Sequence, residues 1–103
     1  MDEMRPTRTA FRYAKATLAY ANENKFSDKV AKEMQELIEL HDSSRHLTRL
    51  LSNPFLPNTK KQSILRSIVP NSSYVTQKLL NLLTSNNRLF LLREVAKSYI
   101  KLF

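Results

Sequence analysis

Apolar residues recur along this chain at helical spacing and nowhere alternate as a strand would. At about 100° per residue, Ala10, Phe11, Ala14, Leu18 and Ala21 fall on one stripe. That stripe predicts a first helix from about Pro6 or Thr7 to Asn24, with the proline suited to a helix entry. Tyr13, Ala16 and Tyr20 form a second stripe on roughly the opposite side, with Thr17 between the two. One stripe is enough to join a core. Two stripes mean either a helix central to the bundle or one that also serves an outside partner, and the pattern leaves both open.

The same reading continues to the last residue. Ser27 is the expected N-cap of a second helix, with Asp28 in its first turn. Val30, Met34, Leu37, Ile38 and His41 make its apolar stripe, and Glu33, Glu36 and Glu39 are expected largely on the other side. Ser43 and Ser44 break the pattern before a short helix through Leu47, Leu50 and Leu51. Asn53-Pro54 stops that helix, because a residue before proline disfavours helical backbone. Asn58 is the expected cap of a fourth helix carrying Ile64, Leu65 and Ile68 and ending before Pro70. Ser72 or Ser73 begins a fifth, with Val75, Leu79, Leu82 and Leu83 as its stripe and Leu80 widening it. At Asn86-Asn87 one residue is expected in the left-handed conformation. A last helix runs from about Leu89 with Leu92, Val95, Ala96, Tyr99 and Phe103 on one face. The fold class that follows is all-α, a compact bundle of about six helices forming one domain over residues 1–103. The apolar Leu102-Phe103 end, without a cap, reads as a helix cut mid-pattern and leads us to expect the front part of a longer protein.

Composition narrows the chemistry further. The chain has no glycine and no cysteine, which excludes disulfides, thiolate zinc sites and a thiol nucleophile. Without glycine there is also no phosphate-cradling loop. His41 and His46 are not on one helical face, and His41 reads as a packed or boundary residue. Glu36 and Glu39 read as a solvated face, and no serine sits in a nucleophile elbow. No catalytic, cofactor or metal site is expected.

The formal net charge of +8 is unevenly placed. Residues 1–43 carry seven Lys/Arg against eight Asp/Glu, whereas residues 44–103 carry ten Lys/Arg against Glu94 alone. Such asymmetry raises nucleic acid or an anionic surface as a partner. Against it, the cations are spread singly apart from Lys60-Lys61, and Leu89 to Leu92 between Arg88 and Arg93 suit packing better than groove insertion. No apolar run approaches the roughly 18 residues of a membrane span. Met1-Asp2-Glu3-Met4-Arg5-Pro6 has no apolar signal region, so a soluble, unexported domain is expected.

Three strings carry a resemblance: Arg12-Tyr13-Ala14-Lys15-Ala16, Leu50-Leu51-Ser52-Asn53-Pro54 followed by Lys60-Lys61-Gln62, and Asn86-Asn87-Arg88-Leu89-Phe90-Leu91-Leu92. Their order and spacing resemble the N-terminal domain of the δ subunit of F-type ATP synthases, the family of the oligomycin-sensitivity-conferral protein. The family commonly has a glycine after the first helix. This chain has Asn24-Lys25 there, and asparagine tolerates the left-handed backbone such a turn uses. Thr17 and Tyr20 stand where aliphatic residues are more usual.

The resemblance implies a non-catalytic stator module of six helices. Its first and fifth helices would form a groove for the amphipathic N-terminal helix of an α subunit of the catalytic head. Carried over by position, Tyr13, Ala16, Thr17 and Tyr20 would line one side, and Val75, Lys78, Leu79 and Leu82 the other. It further implies a second domain, absent from this chain, that contacts peripheral-stalk subunit b, and a place on the cytoplasmic side of a bacterial inner membrane. The alternative is a basic helical module that binds nucleic acid or an anionic surface.

Overall fold

Helix after helix forms where the apolar spacing puts one. A computed structural model describes residues 7–103, with α1 at Arg8–Glu23, α2 at Ser27–Ser43, α3 at Arg45–Ser52, α4 at Asn58–Ile68, α5 at Tyr74–Ser85 and α6 at Leu92–Leu102. A 3-10 turn, Leu89–Leu91, leads into α6. No strand occurs among the described residues. The expected entry at Pro6 lies outside the described residues. Thr7 is the N-cap of α1: its Oγ1 accepts from the Ala10 N–H at 3.1 Å, and its own N–H donates to Glu94 Oε1 at 2.9 Å.

Helix α6 is the centre of the bundle, packed against both α1 and α2. The core gathers Ala10, Ala14 and Ala21 of α1, Val30, Met34, Leu37 and Ile38 of α2, and Leu92, Val95, Ala96 and Tyr99 of α6. From α3, α4 and α5 it takes Leu51, Leu65, Val75, Leu79, Leu80 and Leu83. Tyr99 is fully buried, and its hydroxyl donates to the Ser27 carbonyl at 2.9 Å. Burial, with the nearby Asp28 and Glu33 carboxylates, pushes the Tyr99 phenol up to about 12. On the surface, Arg93 grips Asp42 through Nε at 2.6 Å, and that bond with one from His41 lowers the Asp42 carboxyl to about 2.

Several local expectations need correction. Phe26, not Ser27, is the N-cap of α2, and Pro57, not Asn58, holds that place in α4. Neither supplies a side-chain cap, so both helices begin one residue earlier than polar capping suggests. After α1 it is Lys25, at φ 61°, that takes the left-handed conformation and not Asn24. The hydrogen bonds explain why. Phe26 N–H reaches the Ala21 carbonyl at 2.8 Å and Lys25 N–H reaches Asn22 at 3.2 Å, a Schellman end with Asn24 as C-cap and Lys25 just beyond. The end of α5 repeats the arrangement with Asn87 at φ 58°, as one of the two asparagines was expected to be.

Phe11 and Phe103, both assigned to apolar stripes, are exposed, although Phe103 stacks on Tyr99. The last α-helix starts at Leu92, because Leu89–Leu91 wind more tightly. Glu33 is the largest departure. It is buried, not solvated, and its carboxylate is taken up by α5.

A candidate docking face between helices α1 and α5

Helices α1 and α5 meet along a seam that is tied at both ends by tyrosine. At one end the hydroxyls of Tyr20 and Tyr74 are hydrogen-bonded to each other, with the rings edge to face at 5.9 Å between centroids. That bond is the main reason the Tyr74 phenol is raised above its ordinary value. At the other end Tyr13 Oη accepts from Asn86 Nδ2 at 2.8 Å, with Arg88 beside it at 3.5 Å. Tyr13 and Tyr20 are two helical turns apart on α1, or about 10 Å of rise. Because Tyr20 meets the start of α5 and Tyr13 its end, the two helices run antiparallel.

The eight residues singled out from the sequence divide by depth. Thr17, Val75 and Leu79 are buried. Thr17 is a polar residue in this buried layer, satisfied by donating to the Tyr13 carbonyl at 2.7 Å. Tyr13 and Tyr20 are half-buried, and Ala16 and Lys78 are exposed. Leu82 is 47% exposed although its neighbour Leu83 is fully buried. The Lys78 ammonium lies 5.0 Å from the centre of the Tyr20 ring, a cation–π contact that holds this cation at the edge of the seam. The structure therefore brings Tyr20 and Lys78 into direct contact and leaves Ala16 and Leu82 open to solvent.

Tyr74, Asn86 and Arg88 belong to the same seam and were not singled out. The signal for Tyr74 was present: it lies four residues before Lys78 and eight before Leu82, on one exposed row of α5. No acidic residue occurs in α5, and the formal charges along it and just beyond it, Lys78 and Arg88, are both positive. Elsewhere, a cleft of about 760 Å³ opens between α2 and the Val69 to Ser72 connection, lined by both lysines and glutamates. Among the described residues, no three His, Asp or Glu side chains gather closely enough to hold a metal ion.

Comparison with known proteins agrees with this architecture. A family model described as "ATP synthase delta (OSCP) subunit" matches residues 9–103. A Christiangramia forsetii protein named "ATP synthase subunit delta" is 33% identical over 97 residues, covering 94% of this chain and 53% of the relative. One of the same name from Flavobacterium psychrophilum is 32% identical over 100 residues, covering 97% of this chain and 56% of the relative. A third, from Lactobacillus gasseri, is 32% identical over 94 residues, 91% of this chain and 52% of the relative. The chain spans about half the length of the curated relatives it matches. With the match running through every helix from α1 to α6, the chain belongs to the ATP synthase delta (OSCP) subunit family.

Proposed function

We propose that this chain is the non-catalytic docking module of a stator, joining the catalytic head of an F-type ATP synthase to its peripheral stalk. The α1–α5 face takes the N-terminal amphipathic helix of an α subunit, whose apolar anchors at i, i+3, i+4 and i+7 lie along the seam. Leu82 carries this reading. A leucine 47% exposed, on a helix whose two ends are tied to α1 by tyrosines, offers apolar area on a surface whose shape is already fixed. Pre-set tyrosines lose little freedom on binding and give apolar area with a polar tip. Lys78 and Arg88 favour a partner helix with carboxylates at its flanks, at a modest net gain for exposed pairs.

In the whole subunit, the remaining half would contact subunit b. The two halves together would resist the torque of the rotor during proton-driven ATP synthesis. The module would sit peripherally on the cytoplasmic side of a bacterial inner membrane. No helix among the described residues is long and apolar enough to cross a membrane.

The test is an NMR titration of the labelled chain with a peptide of about 20 residues, roughly 30 Å of helix, from the N-terminus of the cognate α subunit. Shifts centred on α1 and α5, absent in Leu82→Asp, are the expected result. Apolar docking should change little between low and moderate salt, whereas binding to phosphates falls steeply. Shifts confined to the basic helices and erased by salt would instead favour the nucleic-acid or anionic-surface alternative.

A further inference from the structure

Glu33 lies on neither helix of the docking face, yet its carboxylate closes the start of one of them. Oε2 accepts from the Ser73 backbone N–H at 2.6 Å. Oε1 accepts from the Ser73 hydroxyl at 2.7 Å and from the Thr76 hydroxyl at 2.5 Å. All of these donors belong to the N-cap and first turn of α5. Ser73 Oγ in turn accepts from the Thr76 N–H at 3.3 Å, so the side-chain cap and the carboxylate form one buried cluster.

A helix start carries unsatisfied N–H groups and partial positive charge, and both are met here by an anion from another element. That element does not move easily. Val30, Met34, Leu37 and Ile38 seat α2 in the core on either side of Glu33. Two oxygens on a fixed helix, bonded to backbone and hydroxyls of Ser73 and Thr76, define both the height and the rotation of the first turn of α5. Tyr74 is the next residue after Ser73, and Lys78 follows one turn later. A small rotation of that turn would pull Tyr74 from the Tyr20 hydroxyl and Lys78 from the Tyr20 ring.

Resting on the docking reading above, we infer that Glu33 is the positioning residue of the α1–α5 face, holding α5 at the rotation that brings Tyr74 and Lys78 onto Tyr20. Glu33→Met keeps the length of the side chain and removes every acceptor. Glu33→Gln restores one carbonyl for the Ser73 N–H, while its amide can donate to the hydroxyls, so it is the conservative rescue. Thr76→Val removes one donor from the α5 side and leaves Glu33 in place.

The experiment follows Tyr20 and Tyr74 ring resonances of the 103-residue chain without peptide, and then the affinity for the α-subunit peptide. In Glu33→Met the ring resonances move, and peptide affinity falls about tenfold, the scale of one lost hydrogen bond. Glu33→Gln returns both toward the unaltered chain, and Thr76→Val moves the same ring resonances by less. Ring resonances that stay in place in a folded Glu33→Met chain, or a loss that Glu33→Gln does not rescue, overturn the role of Glu33. Should Glu33→Met fail to fold, unmoved rings in Thr76→Val overturn it equally. Failure of the unaltered chain to bind peptide overturns the docking reading and leaves the ring-resonance result to decide Glu33 by itself.

Discussion

Along the seam between α1 and α6 the side chains are small or fully enclosed: Ala10, Ala14 and Ala21 on one helix, Val95, Ala96 and Tyr99 on the other. Along the seam between α1 and α5 the same helix presents Tyr13, Ala16 and Tyr20, and the contact is closed by hydroxyls at its ends while Leu82 stays open. Alanines let two helix axes approach closely, so the first seam is held by dispersion and burial over its length. Tyrosine ties fix the second without filling it. The two stripes on α1 thus serve different ends. One stabilises the bundle, and the other sets the shape of a surface that the bundle does not cover.

This contrast fixes the order of mutational effects. Tyr99→Ala removes the largest fully buried side chain and leaves the Ser27 carbonyl without its donor, so a loss of about 3–5 kcal/mol is expected in denaturant unfolding. A loss under about 1 kcal/mol would mean that the α6 seam is not the sealed one. The same phenol gives a pH signature. Its value is raised above the ordinary 10.0 to about 12, so the stability it contributes is full below pH 10 and is lost as pH rises through 12. Alkaline unfolding that tracks phenolate absorbance, and that is displaced in Tyr99→Phe, is the expected observation. Ala14→Leu comes next. Overfilling the closely packed seam should cost about 1–3 kcal/mol, read as a lower thermal midpoint.

The sealed seam was legible in the sequence and the open one only in part. Periodicity reports which face of a helix is apolar, so Ala10, Ala14, Val95 and Tyr99 could be placed before any coordinates. It does not report which polar residue will be captured by a distant element. Glu33 is three residues after Val30 and four before Leu37, within reach of the apolar stripe, but its acceptors are used by Ser73 and Thr76, 40 and 43 residues away. Helix ends were misread for a related reason. Ser27 and Asn58 have the capping chemistry, but the cap position falls one residue earlier, at Phe26 just after the Lys25 turn and at Pro57. The residues of the proposed docking face came from the resemblance, and periodicity alone would have put Leu82 in the core beside Leu83.

Weaker still should be the loss of a tie. Tyr20→Phe keeps the ring under Lys78 and deletes only a solvent-exposed hydroxyl bond to Tyr74, so unfolding should shift less than in Ala14→Leu. Its clearer effect should be on the open seam: the Tyr74 phenol, now without its partner, titrates closer to its ordinary value. An unchanged Tyr74 titration in this variant would show that the tie does not shape the surface.

The smallest expected change in stability is the one that separates the seams most sharply. Leu82→Asp places a carboxylate on a half-exposed position in the last part of α5, where the helix dipole disfavours it slightly. Lys78, four residues earlier, offsets part of that cost, and little buried area is lost. Unfolding should shift by no more than about 1 kcal/mol, within the range of ordinary surface substitutions. Binding of the α-subunit peptide should nonetheless disappear, because a charge would then sit where an apolar anchor has to be buried. Large destabilisation would mean that Leu82 works as core, and the α1–α5 seam would join the α1–α6 seam as a second sealed contact. Unchanged stability with unchanged peptide binding would keep the seam open and move the docking site elsewhere on the bundle.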